Sequence, residues 1–509
     1  MAALWWKMSS SIVWLFLITA NKIVEADNIL FLSWPLFSHA QGMAYVAKEL
    51  SKYSHTCYYP MTEKLAERFK SFEGIKIIPM KNNPRVTYFE KISTQQFSKN
   101  FSVTWKMISQ EIHAICDSFL LDQEWFQSLK AVNATIAVVD YVFMSNCLAI
   151  IPYRLSIPYV FQGISPEHHA ITRTPWHASV YPSMLTFYSD QMNFYERMVN
   201  HILTVPSYFL TLMGNPAKSV KAYAPEKPEI SFENLMHQAA LYLSETDVLL
   251  EFASPSLPNV KHIGGPATRP AAPLKGDLHK FVEKSNHGII VVSFGSFLDN
   301  FPEKHLEKLE IAFKEIKYDV IWKHSAPKFI ASNIFLTKWL PQNDLLGHPK
   351  TKLFITHCGN NGQFEALYHG VPMLGFPVFG DQFHNGRRIQ VKGYGIPMDI
   401  YNYTKDELVS TINELIVNPK YKNKIKQASE IFRSRPETPA ARGARYIDHV
   451  IKYGGDYLRS TCQTMQLYQF LMLDIYAVFL AVIIVSLCLV KFVIQKCYRC
   501  CCVKKKKMD

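Results

Sequence analysis

The stretch FITHCGNNGQFEALYHGVPML, residues 354–374, sets a histidine, a cysteine and two glycines at the end of an apolar run. KLFIT reads as a strand that ends at His357, and GQFEALYH reads as a helix that starts shortly after it. The first N–H groups of such a helix lack backbone partners, and the helix dipole is positive at that end. Gly359 and Gly362 allow backbone to come close to a ligand, and His357 adds a directed donor. Together they suit the binding of an anion such as a phosphate.

The elements that must hold this bend alternate clearly beyond residue 278. GIIVVSF, DVIWK, NIFLTK, KLFIT and VPMLGF read as strands, and PEKHLEKLEIAFKEI and GQFEALYH as helices. Apolar strands without polar alternation are buried on both faces, as in a parallel sheet covered by helices. In the first half NILFLS (28–33), IKIIPM (75–80) and TIAVVD (135–140) are strand candidates. QGMAYVAKELSK fits one helical face, and YVFMSNCLAIIPYRLSIPYVFQ reads as loop, helix, strand. Residues 165–235 are aromatic and Pro-interrupted, without a usable period. SPSLPNVKHIGGPATRPAAPLKGDL, 254–278, has the Pro and Gly density of a connector. The fold class is therefore α/β, with two doubly wound domains and a cleft between them. Ligands in such sheets bind beyond the C-terminal strand ends.

A chain of 509 residues exceeds one compact core, and its hydrophobic and charged fractions are those of a folded protein. Much of the formal charge of +13 lies in KFVIQKCYRCCCVKKKKMD, 491–509, so the excess reads as a solvated tail beside a membrane and not as a nucleic-acid surface. Residues 1–26 have the pattern of a signal peptide, with Lys7 before the apolar run Ile12 to Ile18. IYAVFLAVIIVSLCLVKFVI, 475–494, is long and apolar enough to cross a bilayer. Basic residues after it place the tail, 495–509, in the cytosol and the preceding residues in a lumen. Lys506 and Lys507 have the spacing of a dilysine retrieval signal for the endoplasmic reticulum. Asn100, Asn133 and Asn402 begin N-x-S/T sequons. The ten cysteines are scattered and indicate no metal site.

WLPQNDLLGHPKTKLFITHCGNNGQFEALYHGVPMLGFPVFGDQFHNGRRI, 339–389, closely resembles the signature of the UDP-glycosyltransferases, particularly the animal UDP-glucuronosyltransferase group. The resemblance covers essentially the whole chain. It implies a GT-B fold, with two Rossmann-like domains facing a cleft and a C-terminal transmembrane helix. Residues 27–253 would bind the acceptor, 254–278 would link, and 279–455 would bind a UDP-sugar. By the same resemblance Trp339 would stack on uracil, with Gln342 nearby, and Glu365 would accept from the ribose hydroxyls. His357, with the turn through Gly359, Asn361 and Gly362, would hold the pyrophosphate, and Asp381 and Gln382 the donor sugar. SFGS, with Ser293, Gly295 and Ser296, matches the family's other phosphate-facing turn. Lys323 stands where relatives often carry Arg; it keeps the charge and loses the bidentate fork. Cys358 fills a position usually Ala or Gly and is given no chemical role.

The resemblance also supplies the chemistry. Ser38-His39 matches the family's catalytic histidine, whose imidazole can act as general base. Asp140 matches the carboxylate that orients it. Attack from the face opposite UDP would invert the anomeric carbon. His357 and the helix-end donors would meet the leaving charge, so neither metal nor cofactor is implied and the UDP-sugar is a co-substrate. The implied enzyme moves a hexosyl group, glucuronic acid first, to a hydroxyl of a small lipophilic acceptor. UDP-glucose as donor, a non-catalytic partner protein, and homo- or hetero-oligomers remain open alternatives.

Overall fold

A computed structural model describes residues 26–80, 101–141, 145–163, 168–183, 186–210, 218–295, 303–324, 331–378 and 380–505. The signal-peptide segment, Asn100, Ser296 and the dilysine pair Lys506 and Lys507 lie outside the described residues. Contacts divide the chain into a large unit that runs to Arg459 and a second unit from Ser460 onward.

The large unit holds two all-parallel sheets. The first contains β1 (Asn28–Leu32), β2 (Thr56–Thr62), β3 (Lys76–Met80), β4 (Ile136–Asp140), β5 (Tyr159–Gly163), β6 (Leu241–Ser244) and β7 (Val260–His262), in the order β3-β2-β1-β4-β5-β6-β7. The second contains β8 (Ile289–Ser293), β9 (Asp319–Lys323), β10 (Ile334–Thr337), β11 (Thr351–Thr356), β12 (Met373–Gly375) and β13 (Gly395–Pro397), in the order β10-β9-β8-β11-β12-β13. This is the doubly wound architecture that the apolar runs imply. In β1, Ile29 and Phe31 enter one core while Leu30 and Leu32 enter another. In β8, Ile289 and Val291 are likewise separated from Ile290 and Val292. Successive side chains point to opposite faces, so a strand with a core on each face must be apolar throughout.

The helices that bear on the site are α1 (Phe37–Ser51), α2 (Glu63–Phe69), α3 (Asn360–His369), α4 (Gln382–Val391) and α5 (Pro439–Tyr453). In each sheet the strand order reverses between two neighbours, β1 and β4 in the first, β8 and β11 in the second. The connections leaving those strands diverge to opposite faces and open a crevice at the carboxyl ends. Two findings differ from the sequence expectation. The segment 254–278 contains β7, which hydrogen-bonds to β6; three residues among Pro and Gly carry no readable period. Helix α5, within the span 279–455, packs on α1 of the first sheet. Ala440, Ala444, Ile447 and Val450 join that sheet's core, and Gly443 brings the helices close enough that a Cβ there would lie 3.1 Å from Val46.

In the second unit α6 (Leu473–Lys505) contains 27 residues, Leu473–Arg499, that are long and apolar enough to cross a membrane. At 1.5 Å per residue this is about 40 Å, more than a hydrocarbon core of about 30 Å.

Candidate active site

The first half of the site is built at the β1/β4 reversal. His39 lies in the first turn of α1, after the loop that leaves β1, and Asp140 is the last residue of β4. His39 Nδ1 and Asp140 Oδ2 are 2.8 Å apart, and the Trp34 N–H donates to the same oxygen at 3.0 Å. The carboxylate is thus fixed from both sides, and His39 Nε2 is left as the nitrogen that can take a proton. Burial disfavours the charged ring, but Asp140 outweighs it, with Glu245 and Asp381 adding to the effect, and the imidazole pKa ends above its ordinary 6.5. The His39 side chain is only 12% exposed, and the carbonyl of the preceding Ser38 is held by a residue of the second half.

The second half is built at the β8/β11 reversal. Ser293 ends β8, Lys323 ends β9, and His357 follows β11. Sequence reasoning assigns Gly359 and Gly362 to close ligand approach; the structure shows what already occupies those spaces. A Cβ on Gly359 would lie 2.5 Å from His357 Nε2, and one on Gly295 would lie 2.7 Å from its Cε1. Glycines from both switch-point turns therefore make room for one imidazole. At Gly362 the neighbours are Phe354 and Gln342. Burial, with the Lys323 ammonium next, pushes His357 down to about 4, so at neutral pH it is an uncharged ring. Lys323 Nζ donates to the Gly295 carbonyl at 2.6 Å and so pins the turn.

Between His357 and Gly359, Cys358 adopts the left-handed conformation, φ +66°, that non-glycine residues rarely take. Its sulfur occupies the space where a Cβ on Gly375 would be 2.3 Å away, and burial pushes its thiol up to about 12. It shapes the bend as an inert thiol. The bend delivers the chain into α3, which has Gly359 at its N-cap and no side-chain cap, so that residue leaves the leading N–H groups uncapped by a side chain. Asn361 Nδ2 donates to the Ser38 carbonyl at 2.8 Å, which joins this turn directly to the start of α1.

Trp339 is 47% exposed and meets the edge of Phe37 at 5.2 Å between centroids; the Arg68 guanidinium of α2 lies 4.7 Å from its ring. Gln342 Nε2 donates to Glu365 Oε2 at 2.5 Å, and burial, against that amide, holds the Glu365 carboxyl at about 7. Asp381 stands at the N-cap position of α4 without a side-chain capping bond and accepts from Asn385 at 2.6 Å, while Gln382 accepts from the Val378 N–H at 2.9 Å. Of the described site residues named from the sequence, His39 and Asp140 thus belong to the first half and the others to the second, and the Asn361 amide bonds across to the Ser38 carbonyl beside His39.

A profile of the family described as "UDP-glucoronosyl and UDP-glucosyl transferase" matches residues 39–508. The chain belongs to the UDP-glycosyltransferase family. It is 34% identical to a 2-hydroxyacylsphingosine 1-beta-galactosyltransferase of Rattus norvegicus over 75% of this chain and 72% of that one. It is 32% identical to UDP-glucuronosyltransferase 1A1 of Mus musculus over 77% of this chain and 74% of that one. It is 29% identical to UDP-glucuronosyltransferase 2C1 of Oryctolagus cuniculus over 91% and 95%. Among solved structures, the spinosyn forosaminyltransferase SpnP aligns with a TM-score of 0.61 at 14% identity, over 84% of this chain and all of that one. At that identity the likeness speaks for the GT-B fold alone.

Sequence reasoning missed a buried polar network around Asp381 and the start of α3 in this UDP-glycosyltransferase. Arg388 donates to Glu251 at 2.8 Å, to Gln363 at 2.8 Å and to Asn360 at 2.6 Å; His384 and Glu251 are 2.6 Å apart. Burial works against a charged Glu251, but His384 and then Arg388 overcome it and hold the carboxyl far below its usual range. Asn385, on the same helix, also donates to the Cys358 carbonyl at 3.0 Å. The network therefore ties Asp381 to the start of α3. A signal was present in DQFHNGRR: polar residues at 381, 384, 385 and 388 recur at helical spacing and form one polar face. The structure also pairs Cys116 with Cys147, which the scattered cysteines did not reveal, and so ties the short helical turn Asn146–Ala149 to the helix Phe101–Leu120.

Proposed function

We propose that this protein is a membrane-anchored, inverting UDP-sugar transferase that glucuronidates a hydroxyl of a small lipophilic acceptor. The His39–Asp140 pair, held at 2.8 Å across the crevice from Asp381 and the start of α3, carries the reading. In it, the acceptor oxygen attacks C1 of the sugar as its proton passes to His39 Nε2. The bond from C1 to the diphosphate oxygen breaks, and UDP leaves with the electron pair. Asp140 stabilises the imidazolium formed. Neutral His357 and the leading N–H groups of α3 take up the charge developing on the diphosphate. Trp339, Gln342 and Glu365 seat the nucleoside, Ser293, Gly295, Ser296 and Lys323 flank the phosphates, and Asp381 and Gln382 receive the sugar hydroxyls. Residues 27–253 supply the acceptor side and 279–455 most of the donor side. The apolar helix α6 and the Cys116–Cys147 disulfide support a lumenal catalytic unit in the endoplasmic reticulum, since disulfides persist in oxidising compartments.

A second reading, transfer of an uncharged hexose, has its own support. A glucuronosyl carboxylate calls for a cation, and Arg388, whose charge acts on Asp381, is committed to Glu251, Gln363 and Asn360. One of the relatives is named a galactosyltransferase. Microsomes carrying the full chain, given labelled UDP-glucuronic acid, UDP-glucose and UDP-galactose with a model phenol, decide between them. Turnover only with a neutral donor replaces the glucuronosyl reading. UDP binding without turnover from any donor overturns catalysis itself.

A further inference from the structure

We propose that the buried carboxyl of Glu245 is a positioning group for the general base, setting together with Asp140 how strongly His39 holds a proton. The inference rests on the reading of His39 as base and adds a residue to it.

Three adjacent strands end side by side here. Asp140 of β4 pairs with Gln162 of β5, the Tyr141 N–H donates to the Gln162 carbonyl at 2.9 Å, and the Glu245 N–H donates to the Gly163 carbonyl at 2.8 Å. Gln162 in turn pairs with Leu243 of β6, so Glu245, the residue directly beyond that strand, lies two positions past the register of Asp140. Glu245 is 3% exposed, and Gln162 Nε2 donates to its Oε1 at 2.9 Å. A Cβ on Gly42 would lie 2.7 Å from Glu245 Oε1, which sets the carboxyl against α1 one turn beyond His39 and on the same helical face. A Cβ on Gly163 would lie 3.1 Å from Asp140 Oδ1, and the carbonyl of the same Gly163 accepts the Glu245 N–H, so one backbone position touches both residues. From the opposite sheet, Asn360 Nδ2 holds the Glu245 carbonyl at 3.0 Å.

The surroundings accommodate both protonation states. Gln162 Oε1 is buried without a hydrogen-bond partner among the described residues; turned end for end, the amide would accept from a protonated Glu245 instead of donating to an ionised one. Burial pushes the carboxyl up to about 7 against the Gln162 amide, Asp140 pushes the same way, and charge on His39 draws it back. The other titratable groups are Asp381 across the crevice and Tyr59 of β2, whose hydroxyl donates to the Ala40 carbonyl at 3.2 Å and whose burial holds it neutral. Ionised Glu245 is therefore a second negative charge that favours imidazolium, and its loss makes His39 a weaker base.

The test uses the full-length membrane enzyme and reads transfer rate against pH together with UDP affinity. In Glu245→Gln the acid limb of the profile moves to lower pH and the alkaline plateau falls several-fold, while UDP affinity stays within about twofold of the parent. Gln162→Leu removes the amide donor, keeps Glu245 protonated to higher pH and moves the limb the same way; it is decisive if Glu245→Gln fails to fold. A limb that stays at the parent position in the folded variant overturns the proposal, whatever the loss of rate. His39→Ala separates the two ideas: retained transfer there sinks the base, whereas lost transfer with an unmoved Glu245→Gln limb sinks only the role of Glu245.

Discussion

Two histidines in this protein occupy similar places and are driven to opposite charge states. His39 and His357 each follow a strand at the point where its sheet reverses order, and burial disfavours charge on both. His39 faces Asp140, Glu245 and Asp381 and is raised. His357 has Lys323 as its charged neighbour, with glycines against its ring, and is lowered to about 4. The difference teaches that residue type and burial do not assign a role; the sign of the neighbouring charge does. In the proposed mechanism one ring exchanges a proton and the other only donates a hydrogen bond, which is the division that transfer from a diphosphate requires.

The contrast is broken most directly at His39. His39→Ala is expected to lower kcat by about 10⁴-fold while leaving UDP binding by calorimetry intact. Equal activity in that variant would end the comparison. Next comes Asp140→Asn, expected to cost about 10³-fold in kcat. It also sharpens the contrast by pH. The reaction needs neutral His39, so the rate of the parent enzyme rises with pH through a midpoint above 6.5. Removing the carboxylate charge makes imidazolium less stable, and the midpoint must move to lower pH. His357→Ala is expected to lower kcat/KM by about 10²-fold, the scale of one lost donor to a developing charge. Because His357 is already neutral above about 4, its removal leaves the acid limb where it was; a shifted limb would mean that both rings titrate in the working range. Smallest is Trp339→Ala, expected to raise the donor KM about tenfold through lost base stacking, with kcat nearly unchanged. Titration of the variant with UDP alone gives the same ratio if stacking is the cause.

Legibility followed physical signal strength. β1, β4, β8, β9 and β11 were readable because each is an apolar run with a core on both faces. β2, TCYYPMT, mixes polar and aromatic residues, and β6, β7 and β13 are three or four residues long, too short to show a period, whereas the short β12 lies inside the apolar run VPMLGF that reads as a strand. The bend after β11 was legible because a glycine turn between strand and helix leaves a local mark. Glu245, Glu251 and Arg388 were not, since each is an ordinary charged residue until its partners are known. The sequence assigns the glycines at 295 and 359 to turns that approach a ligand; in the structure a Cβ on either would meet the His357 ring.

By itself the chain dictated two buried parallel sheets, a glycine-rich bend before a helix and one long apolar segment near its end, because periodicity, turn chemistry and hydrophobic length are written over a few neighbouring residues. Only the tertiary structure decided which charges face which. Neighbouring strands at each reversal are not consecutive in the chain, and His39 meets Asp140 from 101 positions away. Proton affinity depends on distances through space, so the opposite states of the two imidazoles came into being only when the strands took their order.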